Sequence, residues 1–204
     1  MNGFERYTAV LQGKSPDFVP RTPILMRYAA EYIGSNYGEF ASDYLVLVEA
    51  NRRCAEVFGM DQVSCISDPY RETQGFGAEI TYVKDDVPRS THPLAEDKDL
   101  KRLENPDPYK SERMLDRIKA AEQFKNDVGG EYSILGWIEG PAAEAADLRD
   151  VMNFLMDIAG DPEYACDLMD RCVEVGIDFA LAQIEAGCDT IGRSEEHTSE
   201  LQSL

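Results

Sequence analysis

Seven side chains stand, by type and position, where they could do chemistry: Arg27, Asp68, Arg71, Glu72, Glu139, Asp147 and Arg149. The first five lie at or just beyond the end of an apolar run that reads as a buried strand, and Asp147 and Arg149 lie further into the loop after the third such run. A guanidinium leaving a strand can clamp a substrate carboxylate through two parallel hydrogen bonds. It can equally form a structural salt bridge, as Arg27 would with Glu31. Asp68, just before Pro69, can accept hydrogen bonds from polarised N–H groups or stabilise a cation, and the same position can cap the following turn. Glu139 and Asp147 read either as site carboxylates or as acids of a solvated loop. Arg27, Asp68, Arg71, Glu139, Asp147 and Arg149 are therefore the candidate site residues, each with a structural alternative.

The elements that must position these residues follow from hydrophobic period and punctuation. A short amphipathic helix is predicted over Phe4–Gln12, closed by Gly13. Pro20 and Pro23 mark a loop before Ile24-Leu25-Met26, a first strand ending at Arg27. Ser42 caps a helix to Phe58, where Gly59 stops it. Gln62–Ile66 reads as a second strand, and the stretch from Phe76 to Pro88 as a hairpin turning at Asp85-Asp86. A polar loop from Thr91 to Lys110 precedes a helix over Ser111–Val128 and a third strand over Tyr132–Trp137. Asp150 opens a helix through Ile158, and Asp161-Pro162 opens a long one to Ala186, with proline at its first position. Gly187 ends it, and Cys188–Gly192 is a fourth strand. Strands alternating with helices imply an α/β fold with a parallel sheet and right-handed crossovers. Four such units correspond to about half of an eight-unit βα barrel, which places the active site at the C-terminal strand ends.

The chain of 204 residues carries 20 basic and 39 acidic residues, a formal charge of -19. So acidic a surface repels phosphate backbones and anionic lipid, which argues against nucleic-acid and membrane partners. No apolar run approaches the length of a membrane span, and the start MNGFERYTAV lacks a secretory pattern, so a soluble cytoplasmic protein is expected. Cys54, Cys65, Cys166, Cys172 and Cys188 form no CxxC pair and read as reduced core thiols. His92, beside Pro93, reads as a surface-loop residue. An anionic ligand would have to bind against the global field, on Arg27, Arg71 and Arg149.

Four segments carry a family resemblance. Pro23-Ile24-Leu25-Met26-Arg27-Tyr28-Ala29-Ala30-Glu31-Tyr32 resembles the N-terminal signature of uroporphyrinogen decarboxylases, and Ile66-Ser67-Asp68 their Phe-Ser-Asp. Gly136-Trp137-Ile138-Glu139-Gly140-Pro141 is similar to their Gly-Phe-x-Gly-Ala-Pro, and Ile184-Glu185-Ala186-Gly187-Cys188-Asp189 to their Gln-x-x-Ala-Gly-Ala-Asp. The resemblance implies a TIM barrel with one of two chemistries. Decarboxylases remove acetate carboxyls from a porphyrinogen without a cofactor. By resemblance, Arg27 would grip carboxylates and Asp68 would accept from the pyrrole N–H groups. Cobamide-dependent methyltransferases take a methyl group from a corrinoid protein and activate a thiol on zinc.

Glu31 stands where decarboxylases have a second arginine, Asp147 where they have a tyrosine, and Ala142 where they have a tryptophan. The stretch Tyr70–Ile80 with its Asp85-Asp86-Val87-Pro88 turn is more similar to the methyltransferase branch. The resemblance therefore implies a methyltransferase-like enzyme acting on a methyl-corrinoid, with a tetrapyrrole decarboxylase and an inactive truncated fragment as the alternatives. Its partner would be a corrinoid protein, or a tetrapyrrole substrate. The branch's zinc ligands would fall beyond Gly192, so no metal ligand is assigned within this chain, and zinc is expected only in a longer methyltransferase form.

Residues 193–204 read RSEEHTSELQSL, an abrupt shift from the apolar run before them. Their reverse translation matches a widely used sequencing adapter beginning AGATCGGAAGAG. Native sequence is accordingly expected over residues 1–192, followed by a non-native tail.

Overall fold

The computed structural model describes residues 1–194. Its centre is a sheet of three parallel strands, β1 (Gln62–Ser64), β4 (Ser133–Ile138) and β5 (Thr190–Arg193), in the order β1-β4-β5. Val63 pairs with Ile134 and Gly136 with Ile191. Between β1 and β4 the chain makes α5 (Arg71–Gly75), the antiparallel hairpin β2 (Ile80–Val83) and β3 (Asp86–Ser90), and then α6 (Glu112–Val128). Between β4 and β5 it makes α7 (Pro141–Arg149), α8 (Val151–Gly160) and α9 (Pro162–Ala186). Ahead of the sheet lie α1 (Gly3–Leu11), α2 (Met26–Tyr32), α3 (Tyr37–Ser42) and α4 (Tyr44–Phe58). This is the expected α/β architecture with a parallel sheet. Among the described residues it has three strands instead of four, and the sheet is open.

The missing strand is the run Ile24-Leu25-Met26. Met26 instead opens α2, which buries Ala29 and Ala30 completely. Three apolar residues carry too little period to separate strand from helix, and the Ala29-Ala30 face packing on α4 decides for helix. Two further segments read as loop are helical, α5 beyond Asp68-Pro69 and α7. The latter begins with Pro141 at its first position and continues through alanines of high helix propensity.

The long helices follow their punctuation. Asp43 rather than Ser42 caps α4, accepting from Leu45 N, and Gly59 ends it in the left-handed region at φ 59°. Asp161 caps α9 by accepting from Tyr164 N, and Gly187 at φ 120° turns the chain back toward β5. Such backbone angles favour glycine, which has no Cβ to clash.

Two apolar cores flank the sheet. One gathers Leu47, Cys54, Val63, Phe124 and Ile134 beneath α2, α4 and α6. The other gathers Met114, Leu148, Phe154, Leu168 and Phe179 among α6 to α9. Cys54, Cys65, Cys172 and Cys188 are buried thiols as expected, whereas Cys166 lies on the exposed face of α9. Arg193, the first residue of the expected tail, closes β5 opposite Ile138. Ser194 Oγ accepts from Gly140 N at 2.8 Å, and the tail's residues 195–204 lie outside the described residues.

Candidate functional site

At the C-terminal end of β1 the chain turns through Ser67-Asp68-Pro69 and enters α5, so Asp68, Arg71 and Glu72 arrive within one turn of each other. The end of β4 delivers Glu139 beside them, and α7 adds Glu144 and Asp147. The result is a buried cluster of five carboxyl groups around two guanidiniums.

Asp68 is saturated. Arg113, from the first turn of α6, donates to its Oδ1 at 2.7 Å and its Oδ2 at 2.6 Å; Ser67 Oγ adds a bond to Oδ2 at 2.6 Å and Tyr70 N one to Oδ1 at 3.1 Å. Burial opposes the charge, but the Arg113 hydrogen bonds and the charges of Arg113 and Arg71 hold the carboxyl below its ordinary range. The Tyr70 bond realises the turn-capping reading of Asp68. Above the pair, Tyr82 lays its ring 5.3 Å from the Arg113 guanidinium, and the buried Tyr37 hydroxyl donates to the Ser67 carbonyl. Burial first, and then the Asp68 charge, push the Tyr37 phenol up to about 12.

Arg71 is wholly buried and reaches across to β4, where its Nη2 donates to Glu139 Oε1 at 2.6 Å; its Nη1 donates to the Asp68 carbonyl. Trp137 Nε1 also donates to Glu139 Oε1, at 3.2 Å. Glu72 accepts from Glu139 N at 2.9 Å, and Thr73 Oγ1 donates to Glu144 Oε2 at 3.1 Å. Glu72 and Glu144 each have one further carboxylate oxygen, buried and without a hydrogen-bond donor. The carboxyls push one another up. Burial raises Glu72 to about 7 against the pull of Arg71, with Glu139 adding to the rise. Asp147, half-buried, rises to about 7 through burial and the charges of Glu139 and Glu72. Glu144 lies well above the carboxylate range, through burial and then Glu72 and Asp147.

Four of the six expected site residues, Asp68, Arg71, Glu139 and Asp147, thus come together, and Glu72 joins them. Arg27 does not. On α2 its Nε donates to Glu31 Oε1 at 2.8 Å and its Nη1 to the Asp85 carbonyl at 2.9 Å, with its side chain 58% exposed. The salt-bridge reading holds, because α2 places residues four apart on one face. Arg149 is also drawn elsewhere. Its Nε pairs with Asp157 at 2.8 Å and its Nη1 donates to the Leu94 and Ala95 carbonyls, which ties the long loop to α8. Arg113 and Glu144 were not singled out from sequence. Their one signal is that both occupy inward positions of their helices, next to Met114 and Ala145.

Among the described residues no group of three or more His, Cys, Asp or Glu is placed to hold a metal ion. His92 Nδ1 donates to the Asp147 carbonyl at 2.7 Å, and Cys54, Cys65, Cys172 and Cys188 are buried in the apolar cores.

A family model described as Uroporphyrinogen decarboxylase (URO-D) matches residues 2–203. The uroporphyrinogen decarboxylase of Chloroflexus aurantiacus is 28% identical over 188 residues, covering 85% of this chain and 52% of that protein. The Methylcobamide:CoM methyltransferase MtaA of Methanosarcina barkeri is 25% identical over 193 residues, covering 91% and 56%. Among solved structures, a methyltransferase from Methanosarcina mazei superposes with a TM-score of 0.83 at 25% identity, covering 94% of this chain and 58% of that one. The chain spans about half the length of the curated relatives it matches. No helix among the described residues is long and apolar enough to cross a membrane.

Proposed function

The chain belongs to the uroporphyrinogen decarboxylase family, and within it we propose a methyltransferase-like member whose full-length form acts on a methyl-corrinoid. One observation carries this reading. Each of the three arginines expected to grip an anionic tetrapyrrole is paired with a carboxylate of the chain itself: Arg27 with Glu31, Arg71 with Glu139 and Arg149 with Asp157. A polycarboxylate entering the strand ends would displace those partners and face Glu72, Glu144 and Asp147. Stripping a buried carboxylate such as Glu139 of its guanidinium strands a charge in a low-dielectric interior, where it costs far more than in water. A methyl-corrinoid reaction asks for no such arginine array at the reacting centre. The acidity also disfavours nucleic acid as a partner. No step is assigned to a metal.

Trp137, the single tryptophan, donates to Glu139 at the mouth of the cluster and reports on its occupancy. Titration with methylcobalamin should quench its fluorescence saturably, and addition of a thiol should release the methyl group. Porphyrinogen product from a uroporphyrinogen substrate, with no demethylation of methylcobalamin, would establish the decarboxylase reading in its place.

A further inference from the structure

The site holds five carboxyl groups against two guanidiniums, and the arrangement of hydrogen bonds divides them into two sets. Asp68 and Glu139 take the guanidinium donors. Glu72 and Glu144, each only 2% exposed, are left with one oxygen apiece that meets no donor. Arg71 Nε, wholly buried, also makes no hydrogen bond and lies 3.7 Å from Glu72 Oε2. A buried carboxylate without donors bears a desolvation cost that protonation relieves. Thr73 ties the two acids together, since it follows Glu72 on α5 and its hydroxyl donates to Glu144 Oε2. Asp147, one turn along α7 from Glu144, is only half-buried and brings the cluster toward the surface.

We propose that Glu72, Glu144 and Asp147 form a proton store at the strand ends, which accepts the proton that a thiol releases when it is methylated. In that step the S–H bond breaks and an S–C bond forms. The cobalt–carbon bond of the methyl-corrinoid breaks with its electron pair remaining on cobalt, and the proton passes to a carboxylate of the store. The store itself follows from the cluster alone, and only the identity of the proton donor rests on the methyltransferase reading. The charged and titratable groups facing it are Arg71 and Tyr70 beside α5, Asp68 and Glu139 at the strand ends, Arg113 on α6 and Cys172 on α9. The arginines draw protons off, while the remaining acids keep them on. Cys172, raised well above the ordinary thiol range by burial and by Glu144 and Glu72, stays neutral beside them.

Infrared difference spectroscopy of the full chain tests the store without any ligand. At neutral pH the wild type should show the carbonyl stretch of a protonated carboxylic acid, shifting in deuterium oxide. The band should lose most of its intensity between about pH 5 and about pH 9, where ordinary carboxylates are already ionised. The E144Q variant, which can keep the Thr73 hydrogen bond, should remove part of the band. A wild-type spectrum with no such band at neutral pH overturns the proposal even if the variant fails to fold, and so does a band unchanged in both E144Q and D147N. In the methylcobalamin assay, E72Q/E144Q should slow demethylation about 100-fold and abolish its rise with pH. A present band with a pH profile unchanged in that variant would remove the acceptor role and leave the store. A present band with no demethylation at all would reject the methyltransferase reading instead.

Discussion

Removing the charge of Asp68 offers the sharpest test of how the site is held together. In Asp68→Asn the shape is kept, but Arg113, only 4% exposed, loses the carboxylate that takes both its Nη1 and Nη2. What remains is the Ala41 carbonyl, which accepts from Nη2 at 3.1 Å, and the face of Tyr82. Breaking a buried pair by removing one partner costs about 3–5 kcal/mol. For a chain of this size each kcal/mol moves the melting temperature by about 2–4 °C, so a fall of about 6–20 °C is expected. Arg113→Met should cost a similar amount, because it strands the carboxylate instead. The double variant should cost no more than the worse single one, giving a coupling of at least about 3 kcal/mol in urea unfolding followed by circular dichroism. The pH dependence has a defined sign. Asp68 is held below its unfolded value, so its stabilisation is complete above the ordinary carboxylate range near pH 4 and drains away as the pH falls through it. Asp68→Asn should lack that acid-side loss. Single variants costing under about 1 kcal/mol, or costs that simply add, would mean the pair is no anchor.

Arg149→Met should destabilise the chain by about 3 kcal/mol, through the stranded Asp157 and the freed Leu94 and Ala95 carbonyls. It should leave methylcobalamin quenching of Trp137 intact, and a lost quench in a folded variant would return Arg149 to the binding site. Glu72 and Asp147 carry the opposite sign to Asp68. Their folded values are raised to about 7, so their contribution is full below the ordinary carboxylate range and lost as the pH climbs through about 7. Glu72→Gln should therefore gain stability relative to wild type on going from acidic to alkaline buffer, and equal slopes of stability against pH would contradict the raised values. Of the five cysteines, only Cys166 should react promptly with a thiol reagent in the native chain, the other four after denaturation. A second fast thiol would show that one of the cores opens readily.

Much of the fold is legible because long helices announce themselves twice, by period and by punctuation. Pro162 and Gly187 bracket α9, and Gly59 closes α4, at the residues that composition alone marks. Short elements lack that redundancy. Met26–Tyr32 and Arg71–Gly75 span too few turns for a period to emerge, and their helical state is settled by what they pack against. The site divides in the same way. Asp68, Arg71 and Glu139 are visible from sequence because strand ends in a βα fold converge. Arg113 is invisible because its meaning depends on a partner 45 residues away. The Glu31 that neutralises Arg27 stands four residues along in the same helix and is legible as its partner, whereas the Asp157 that captures Arg149 lies across a helix junction.

These pairings decide how the overall charge should be read. A chain at -19 that meant to bind a polyanion would need arginines kept free of its own carboxylates at the strand ends. The opposite is found, for carboxylates there exceed guanidiniums and both buried guanidiniums are spent on Asp68 and Glu139. Burial raises Glu72, Glu144 and Asp147 above the ordinary carboxylate range, so under the proposed store part of the local excess of negative charge is offset by bound protons. Under that proposal a ligand suited to the strand ends is one whose reaction moves a proton, with Glu72 and Asp147, raised to about 7, as its acceptors. An oxyanion clamp would require Arg71 to release Glu139, which would strand a buried carboxylate at a cost of about 3–5 kcal/mol before any ligand had bound.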